Sequence, residues 1–544
     1  MKKNSFIQGA VIATLCIVVS KILGVIYVIP FYSLIGEKGG ALYGYAYSIY
    51  GLFLNLSTAG IPFAISKITS EYSALKQYYL KEKSYIISKY LMCGLGVFGF
   101  VVLMFFAPFV ADVFIGDIKG GNTKEDVAFV IRVISFALLI VPILSVTRGY
   151  LQGHKFITPS SISQVIEQFV RVLIIVIGTF LCLRVFDLEL RIAIGIAVFS
   201  AVISAFVSYI YLKIKVIKNK EAFNLSYEIT EDEKKVTSKD IAFRLLAYAI
   251  PFILLDIVSS AYSFVDLSTI NRTMVSLGYD ISESESVISV LTTWGSKLNM
   301  IVMAVSSGMI VSLVPNIASS YVVKDYKDVK NKINEALQSL IFVILPMTVG
   351  LSLISNYVWT IFFGPNSSIG PLVFSYSIFT AFTMSIFNIT VSTMHSLGHS
   401  KMVINTLTSG LIVKIIINIP FMKLFNYIGL HPSYGVITST LLSNVVVIIF
   451  NLIFLKKKLN IKYKDTFITF IKNLIPLSVM IFVVLIMKKF IPISTSRVMC
   501  LIYSFVYAIL GGLVYIIVSM KTKLVYNIFG NNIINKIKTK FKIN

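Results

Sequence analysis

The chain has 544 residues, of which 56% are hydrophobic and only 14% charged, yet its net charge is +24. Such a composition excludes a water-soluble globular fold, whose exterior must be hydrated, and suits a chain whose outside faces hydrocarbon while helices satisfy the backbone. The surplus of lysine and arginine does not mark a nucleic-acid binder, because it falls in the gaps between apolar runs.

The first apolar run follows Met1-Lys2-Lys3 and continues to about Ser33 without a small-residue cleavage site, so it reads as a retained span, not a signal peptide. With it, 6–33, the predicted spans are 42–66, 84–115, 127–149, 159–185, 189–212, 245–271, 286–320, 333–362, 371–396, 402–427, 433–455, 466–488 and 496–520. Prolines inside them, such as Pro108, Pro142, Pro251 and Pro346, are tolerated where neighbouring helices resatisfy the backbone. Cys16, Cys93, Cys182 and Cys500 all lie in apolar runs and form neither a disulfide framework nor a metal-binding pattern.

Cations set the orientation. Alternate gaps, from Lys2/Lys3 through 67–89, Arg148/Lys155, 213–244, Lys324–Lys332, Lys401 and Lys456–Lys472 to the tail from Lys521, hold 34 of the 49 lysines and arginines. The opposite gaps hold 10, among acids such as Asp117, Glu125, Asp126, Asp280, Glu283 and Glu285. This alternation predicts about fourteen transmembrane helices in an all-α integral membrane protein, with both ends cytoplasmic.

The polar segment Glu231-Asp232-Glu233-Lys234-Lys235 lies in the longest insertion, after six spans. The expected organisation is an N-terminal lobe at 1–217, a cytoplasmic linker at 218–240, a C-terminal lobe at 241–457, and two extra spans with a basic tail at 458–544. The two lobes look like parallel repeats. Leu151-Gln152-Gly153-His154-Lys155 resembles Ser396-Leu397-Gly398-His399-Ser400, and each is followed by an intramembrane cation, Arg171 or Lys414. Ser57-Thr58-Ala59-Gly60 through Tyr72 likewise resembles Ser306-Ser307-Gly308 through Tyr321. Duplication with a parallel offset is a transporter habit.

Five cations fall inside spans: Lys21, Arg132, Arg171, Lys297 and Lys414. Each costs at least about 2.5–3.5 kcal/mol at membrane depth, so it faces a wet cavity or a partner. Arg132 is close enough to the interface to snorkel. Lys21 and Lys297 have no acid one helical turn away and are the first candidates for an anion site. Arg171 and Lys414 sit at matching depths. Gln164, Glu167, Gln168 and Arg171 share one helix face, so Glu167 and Arg171 can pair. Asp256 and Asp266 are the other intramembrane acids, and Asp266, Thr269 and Asn271 offer either a cation or sugar site or a helix cap. The four histidines form no HExxH motif and no GxxxxGK[ST] loop occurs, so neither metal catalysis nor an ATPase motor is expected.

Several of these segments carry a family resemblance: Ser20-Lys21-Ile22-Leu23-Gly24, Gly39-Gly40-Ala41-Leu42-Tyr43, Thr58-Ala59-Gly60-Ile61-Pro62, and Val141-Pro142-Ile143 through His154. With Ser163-Gln164-Val165-Ile166-Glu167-Gln168 and Asp266 through Asn271, they resemble the MurJ lipid II flippases of the YtgP type, with SpoVB sporulation proteins as relatives. The resemblance implies two pseudo-symmetric lobes around a V-shaped central cavity, and transfer of undecaprenyl-diphosphate-linked disaccharide-pentapeptide across the bacterial cytoplasmic membrane by alternating access. The family's cavity cations map onto Lys21 and Lys297. An Arg-Asp pair and a second-span arginine known in some members are replaced here by Tyr27-Val28 and the uncharged Leu54-Asn55.

The expected substrate-binding set is therefore Lys21, Lys297, Arg171 and Lys414, with Asp266, Asn271, Glu167 and Asp256 as ion-coupling or cavity polar groups. No cofactor is expected. The drive is a sodium or proton gradient or the membrane potential, and the partners are the lipid-linked diphosphate, anionic lipids and the cell-wall synthesis machinery around a monomer. The alternatives are a flippase for another lipid-linked oligosaccharide or a sporulation precursor, a multidrug antiporter of the same superfamily, and, third, a lipid-linked sugar polymerase. The sidedness is testable by single cysteines in a cysteine-free background. Asp280→Cys labels with an impermeant maleimide in intact cells, whereas Lys457→Cys labels only after permeabilisation.

Overall fold

The computed structural model describes residues 6–58, 60–116, 120–218, 223, 233 and 235–529, and among them no strand occurs. They gather into two compact units, 1–293 and 294–544. Among the described residues, eleven helices are long and apolar enough to cross a membrane, or twelve when the pair Val18–Ile26 and Val28–Leu54, bent by 51°, counts as one span.

The first unit begins with α1 (Phe6–Ile26) and α2 (Val28–Thr58), the latter broken at Gly36, which takes a φ of 61° that only glycine adopts cheaply. It continues with α3 (Ile61–Ala74), α4 (Tyr78–Ile115), α5 (Lys124–Ser135), α6 (Val141–Gly153), α7 (Ile157–Phe180), α8 (Leu190–Ile217), α9 (Ser238–Ser276) and α10 (Ile281–Ser289). Helix α3 packs on α6 at very short range. A Cβ at Gly149 would lie 2.5 Å from the Pro62 carbonyl, and only glycine permits that approach.

The sequence places α9 in the second lobe, but it packs with α2, α3 and α4 of the first unit. Polar bonds hold it at both ends. Arg244 pairs with Glu71 at 2.7 Å, Arg272 donates to the Asp112 carbonyl at 2.9 Å, and the buried Asn271 donates to Tyr45 at 2.6 Å. At the start of α9, Thr237 and Asp240 form a reciprocal capping box. The Thr237 hydrogen bonds hold the Asp240 carboxyl below the usual carboxylate range. A depressed carboxylate stabilises above its unfolded pKa, so this cap is complete at neutral pH and is lost as pH falls through the folded value.

Most of the expected linker, 218–240, lies outside the described residues, but Phe223 is fixed. It is 1% exposed, stacks on Tyr150 and meets Phe156 and His154 edge-on, while the buried Lys81 donates to its carbonyl at 2.6 Å. That point of the linker is therefore anchored on the first unit.

The second unit holds α11 (Gly295–Val322), α12 (Tyr326–Leu353), α13 (Ser355–Phe363), α14 (Ile369–Ser396), α15 (Ser400–Tyr427), α16 (Ser433–Leu459), α17 (Lys464–Phe490), α18 (Arg497–Lys521) and the short α19 (Leu524–Phe529). Helix α14 packs against α11, α12 and α16, and α17 joins α12 to α18.

One repeat is visible in the backbone. Helices α15 and α16 each begin 243 residues after α7 and α8 (Ile157 to Ser400, Leu190 to Ser433). The turns before them also match: Lys155 and Gly398 are left-handed, and the next N–H closes on Leu151 and Met394 respectively. A polar bond joins each helix pair at the same rung, Ser208 to the Ser163 carbonyl and Thr406 to Asn451. The resemblance between Gly60 and Gly308 does not extend to the backbone, since Gly60 breaks a helix at φ 66° and Gly308 lies inside α11.

Truncating the linker anchor tests its role. Phe223→Ala removes a buried ring worth roughly 3 kcal/mol, and limited trypsin digestion within 218–240 is expected to run at least about tenfold faster than in the parent protein, on the same 3 kcal/mol basis.

Candidate functional site

Helix α7 carries its polar residues on one stripe, and the structure gives Glu167 two arginine partners. Arg148 of α6 reaches one carboxylate oxygen at 2.8 Å, and Arg171, one turn along α7, pairs with the other. Arg148 also donates through Nε to Ser163 at 2.8 Å, which in turn binds the Ser160 carbonyl at 2.6 Å. The three charged side chains are 13–23% exposed. Two guanidiniums around one carboxylate leave the cluster one positive charge in excess. The buried Nε of Arg171 has no hydrogen-bond partner among the described residues.

The phenols of Tyr43, Tyr47 and Tyr50 lie within electrostatic reach of Arg171, and Tyr43 stacks on Tyr47 at 4.3 Å. Helix α1 packs on α7, where a Cβ at Gly24 would meet Gln168 at 3.5 Å. Lys21 precedes Gly24 by one turn on the same face of α1 and is half-buried. The first unit therefore places Lys21 on the helix beside an aromatic-lined arginine pair. Guanidinium forks and phenol hydroxyls are donors of the kind that suit a multivalent oxyanion.

Lys414 stands sixteen residues after its left-handed turn, as Arg171 does. Its environment differs. Lys414 is wholly buried and donates to Thr440 at 2.5 Å, within a polar ladder that includes Asn418–Ser439 and Asn444–Thr383. Lys297 is half-buried on α11, three residues past a π-helical turn at Val290–Trp294. Two residues on, Asn299 donates to Thr380 of α14 at 3.4 Å. Helix α11 is thereby fixed against the helix that flanks it.

The remaining expected residues separate into different surroundings. Asn271 is 0% exposed, and its amide is spent on protein: Nδ2 donates to Tyr45 and the Phe114 carbonyl, and Oδ1 accepts from Ser284 at 2.7 Å. It ties α9 to α2, α4 and α10. Asp256 and Asp266 are half-buried on α9. Thr269 donates to the backbone of Val265 at 2.6 Å.

Two residues escape the sequence reading. Arg148 counts there as a loop cation, yet α6 extends through Gly153 and carries it into the cluster. Glu285 counts as an outer-loop acid, yet it is 1% exposed and accepts from the Asn122 backbone at 2.7 Å. Neither could be found without knowing where helices end, although the i, i+4 stripe on α7 does announce Glu167 and Arg171.

In the second unit, a cavity of about 440 Å³ is walled almost wholly by apolar side chains of α11, α12, α17 and α18, including Ile301, Pro346, Met480 and Val484. Among the described residues no three His, Cys, Asp or Glu side chains come together in a way that could hold a metal ion.

Residues 6–313 match a protein family described as polysaccharide biosynthesis protein. The chain is 30% identical over 538 residues to the lipid II flippase MurJ of Bacillus subtilis (strain 168), covering 97% of this chain and 98% of that one. Among solved structures, it is similar to a lipid II flippase MurJ in an inward closed conformation (TM-score 0.68, 18% identity, 95% of this chain and 99% of that one). It is also similar to an inward-facing multidrug resistance MATE family transporter of the MOP superfamily (TM-score 0.65, 13% identity, 82% and 99%).

The charge balance of the cluster is open to a direct test. Glu167→Gln strands two guanidiniums against each other and is expected to cost about 3 kcal/mol, read as a lowered thermal midpoint in detergent. Adding Arg148→Gln to it should recover most of that loss. A double variant no more stable than Glu167→Gln alone would show that Arg148 and Glu167 are not coupled.

Proposed function

The chain belongs to the polysaccharide biosynthesis protein family, among its MurJ-type lipid II flippases, and we propose that it carries undecaprenyl-diphosphate-linked peptidoglycan precursor across the bacterial cytoplasmic membrane. The observation that carries this reading is the match to Bacillus subtilis MurJ along 97% of the chain. It is a multi-pass membrane transporter, not an enzyme. We read fourteen spans with both ends in the cytoplasm. Eleven helices qualify by themselves; Gly36 divides the bent pair into two further spans, and α9 supplies the last.

A doubly charged diphosphate cannot cross hydrocarbon unaided, so the protein must offer it cations at membrane depth. Each unit brings its own. In the first, Lys21 and Arg171 take the diphosphate, with Glu167 holding Arg171 in place and Arg148 offsetting that carboxylate. In the second, Lys297 serves the head group, and Lys414 keeps the interior of its helix pair positively charged. The tail is polyisoprenoid, and the apolar cavity of the second unit is suited to one stretch of it. The pentapeptide and sugars stay hydrated.

Alternating access moves the head group, and the membrane potential or an ion gradient drives it. Glu167 binds two arginines, and the half-buried Asp266 and Asp256 of α9 are the acids we assign to carry a coupling sodium ion or proton. A monomer suffices for this cycle, working beside the enzymes that make and use the precursor. A MATE-like fold also suits drug export, but exporters of cations would not be expected to place surplus positive charge along the path.

Complementation tests the assignment. In cells depleted of their resident lipid II flippase, the intact chain is expected to restore growth, whereas Lys21→Ala and Lys297→Ala at equal membrane levels are expected to lose it. Rescue by both variants would remove the site assignment. Failure of the well-inserted intact chain would transfer the reading to another lipid-linked oligosaccharide.

A further inference from the structure

Away from the arginine cluster, a groove of about 640 Å³ opens between the N-terminal part of α4 and the first turns of α9. Its polar end carries Lys83 and Lys239, together with Tyr79. Its floor is made by Ile86, Tyr90 and Leu91. Lys83 reaches over Tyr79 and spends one proton on the Val236 carbonyl at 2.7 Å, which fixes its ammonium at the rim with two N–H bonds to give. Lys239 is exposed on the first turn of α9.

The floor does not end at the groove. Ile86 is 50% exposed and Tyr90 76%, and the same face of α4 continues through exposed Val97, Val101 and Phe105. This is the stripe a membrane helix shows to acyl chains. The groove thus joins an apolar track to two ammonium groups and two tyrosines at the level where a polar headgroup sits.

We propose that this groove is a binding site for an anionic phospholipid of the membrane, its phosphodiester held by Lys83 and Lys239 and one acyl chain lying on Ile86 and Tyr90. Two carboxylates stand beside these lysines and keep their charge, but both are hydrogen-bonded to the protein, Glu82 to the Tyr150 hydroxyl and Asp240 to the Thr237 cap, so the groups that meet a ligand phosphate are the Lys83 and Lys239 ammoniums. A zwitterionic headgroup would bring its own ammonium to compete with them for that phosphate. The position rests on the proposed sidedness, which puts this end of α4 at the cytoplasmic surface, where anionic headgroups attract basic residues. It adds a resident lipid to the transporter, distinct in place from the precursor it carries.

Native mass spectrometry of the full chain, titrated with phosphatidylglycerol, phosphatidylcholine or inorganic phosphate, tests the site apart from any transport assay. Phosphatidylglycerol is expected to be retained over phosphatidylcholine. Lys83→Gln and Lys239→Gln should each weaken it about fivefold, the size of one cation's attraction to an anionic membrane surface. Ile86→Trp, which fills the floor without changing charge, should weaken it as well. Should Lys83→Gln fold poorly for want of its Val236 bond, Lys239→Glu on the exposed first turn gives the charge test alone. Equal retention of both lipids, or an unchanged affinity in the charge variants, overturns the proposal. Displacement of the lipid by inorganic phosphate at equal concentration overturns it in favour of a free-phosphate site. Loss of precursor transport with lipid binding intact would fault the transporter reading and leave this site standing.

Discussion

Hydrocarbon offers no hydrogen bond, and that deficit governs this chain from end to end. Backbone groups close on themselves as helices. Side chains that keep a charge or an amide within the helical bundle must find their partners in the protein. The Asn271 amide, the Glu285 carboxylate and the Lys414 ammonium each meet this demand with specific partners. The same demand makes Arg148, Glu167 and Arg171 a single unit of chemistry, since none could stand alone at that depth.

The proposed site follows from incomplete cancellation. A neutral ion pair would be inert toward a passing anion, and two bare arginines would be prohibitive. Three groups with one net charge lie between these extremes, and the tyrosines beside Arg171 add donors without adding charge. Glu167 supports both arginines, one through each carboxylate oxygen. Asn271 spends both its N–H bonds and one lone pair of Oδ1 on α2, α4 and α10.

Much of this was legible in the residues. From α4 onward the apolar runs mark the membrane helices to within about seven residues at either end. The expected spans 6–33 and 42–66, by contrast, cut across the boundaries of α1, α2 and α3, which fall near Tyr27 and Gly60. The stripe on α7 marks the Glu167–Arg171 pair. The repeat was legible in kind but not in register. Aligning His154 with His399 misplaces the halves by two residues, because the turn is set by its left-handed residue, a glycine in one half and Lys155 in the other. Lysine at positive φ leaves no mark in a sequence. Lobe membership was less legible. The polar insertion before α9 suggested a boundary, while the side chains binding α9 to the first unit lie too far apart in sequence to be paired by eye. Arg148 was hidden for a simpler reason: a cation near a predicted helix end reads as a loop residue until the helix is seen to continue.

Once aligned on those turns, Arg171 and Lys414 occupy the same rung, sixteen residues along helices of the same start. A helix turns by about 100° and rises 1.5 Å per residue, so that spacing sets each charge's azimuth as strictly as its height. The turn acts as an indexing pin. A single residue inserted between pin and charge would leave composition, hydropathy and span count untouched, yet swing the cation a quarter-circle away from its partners.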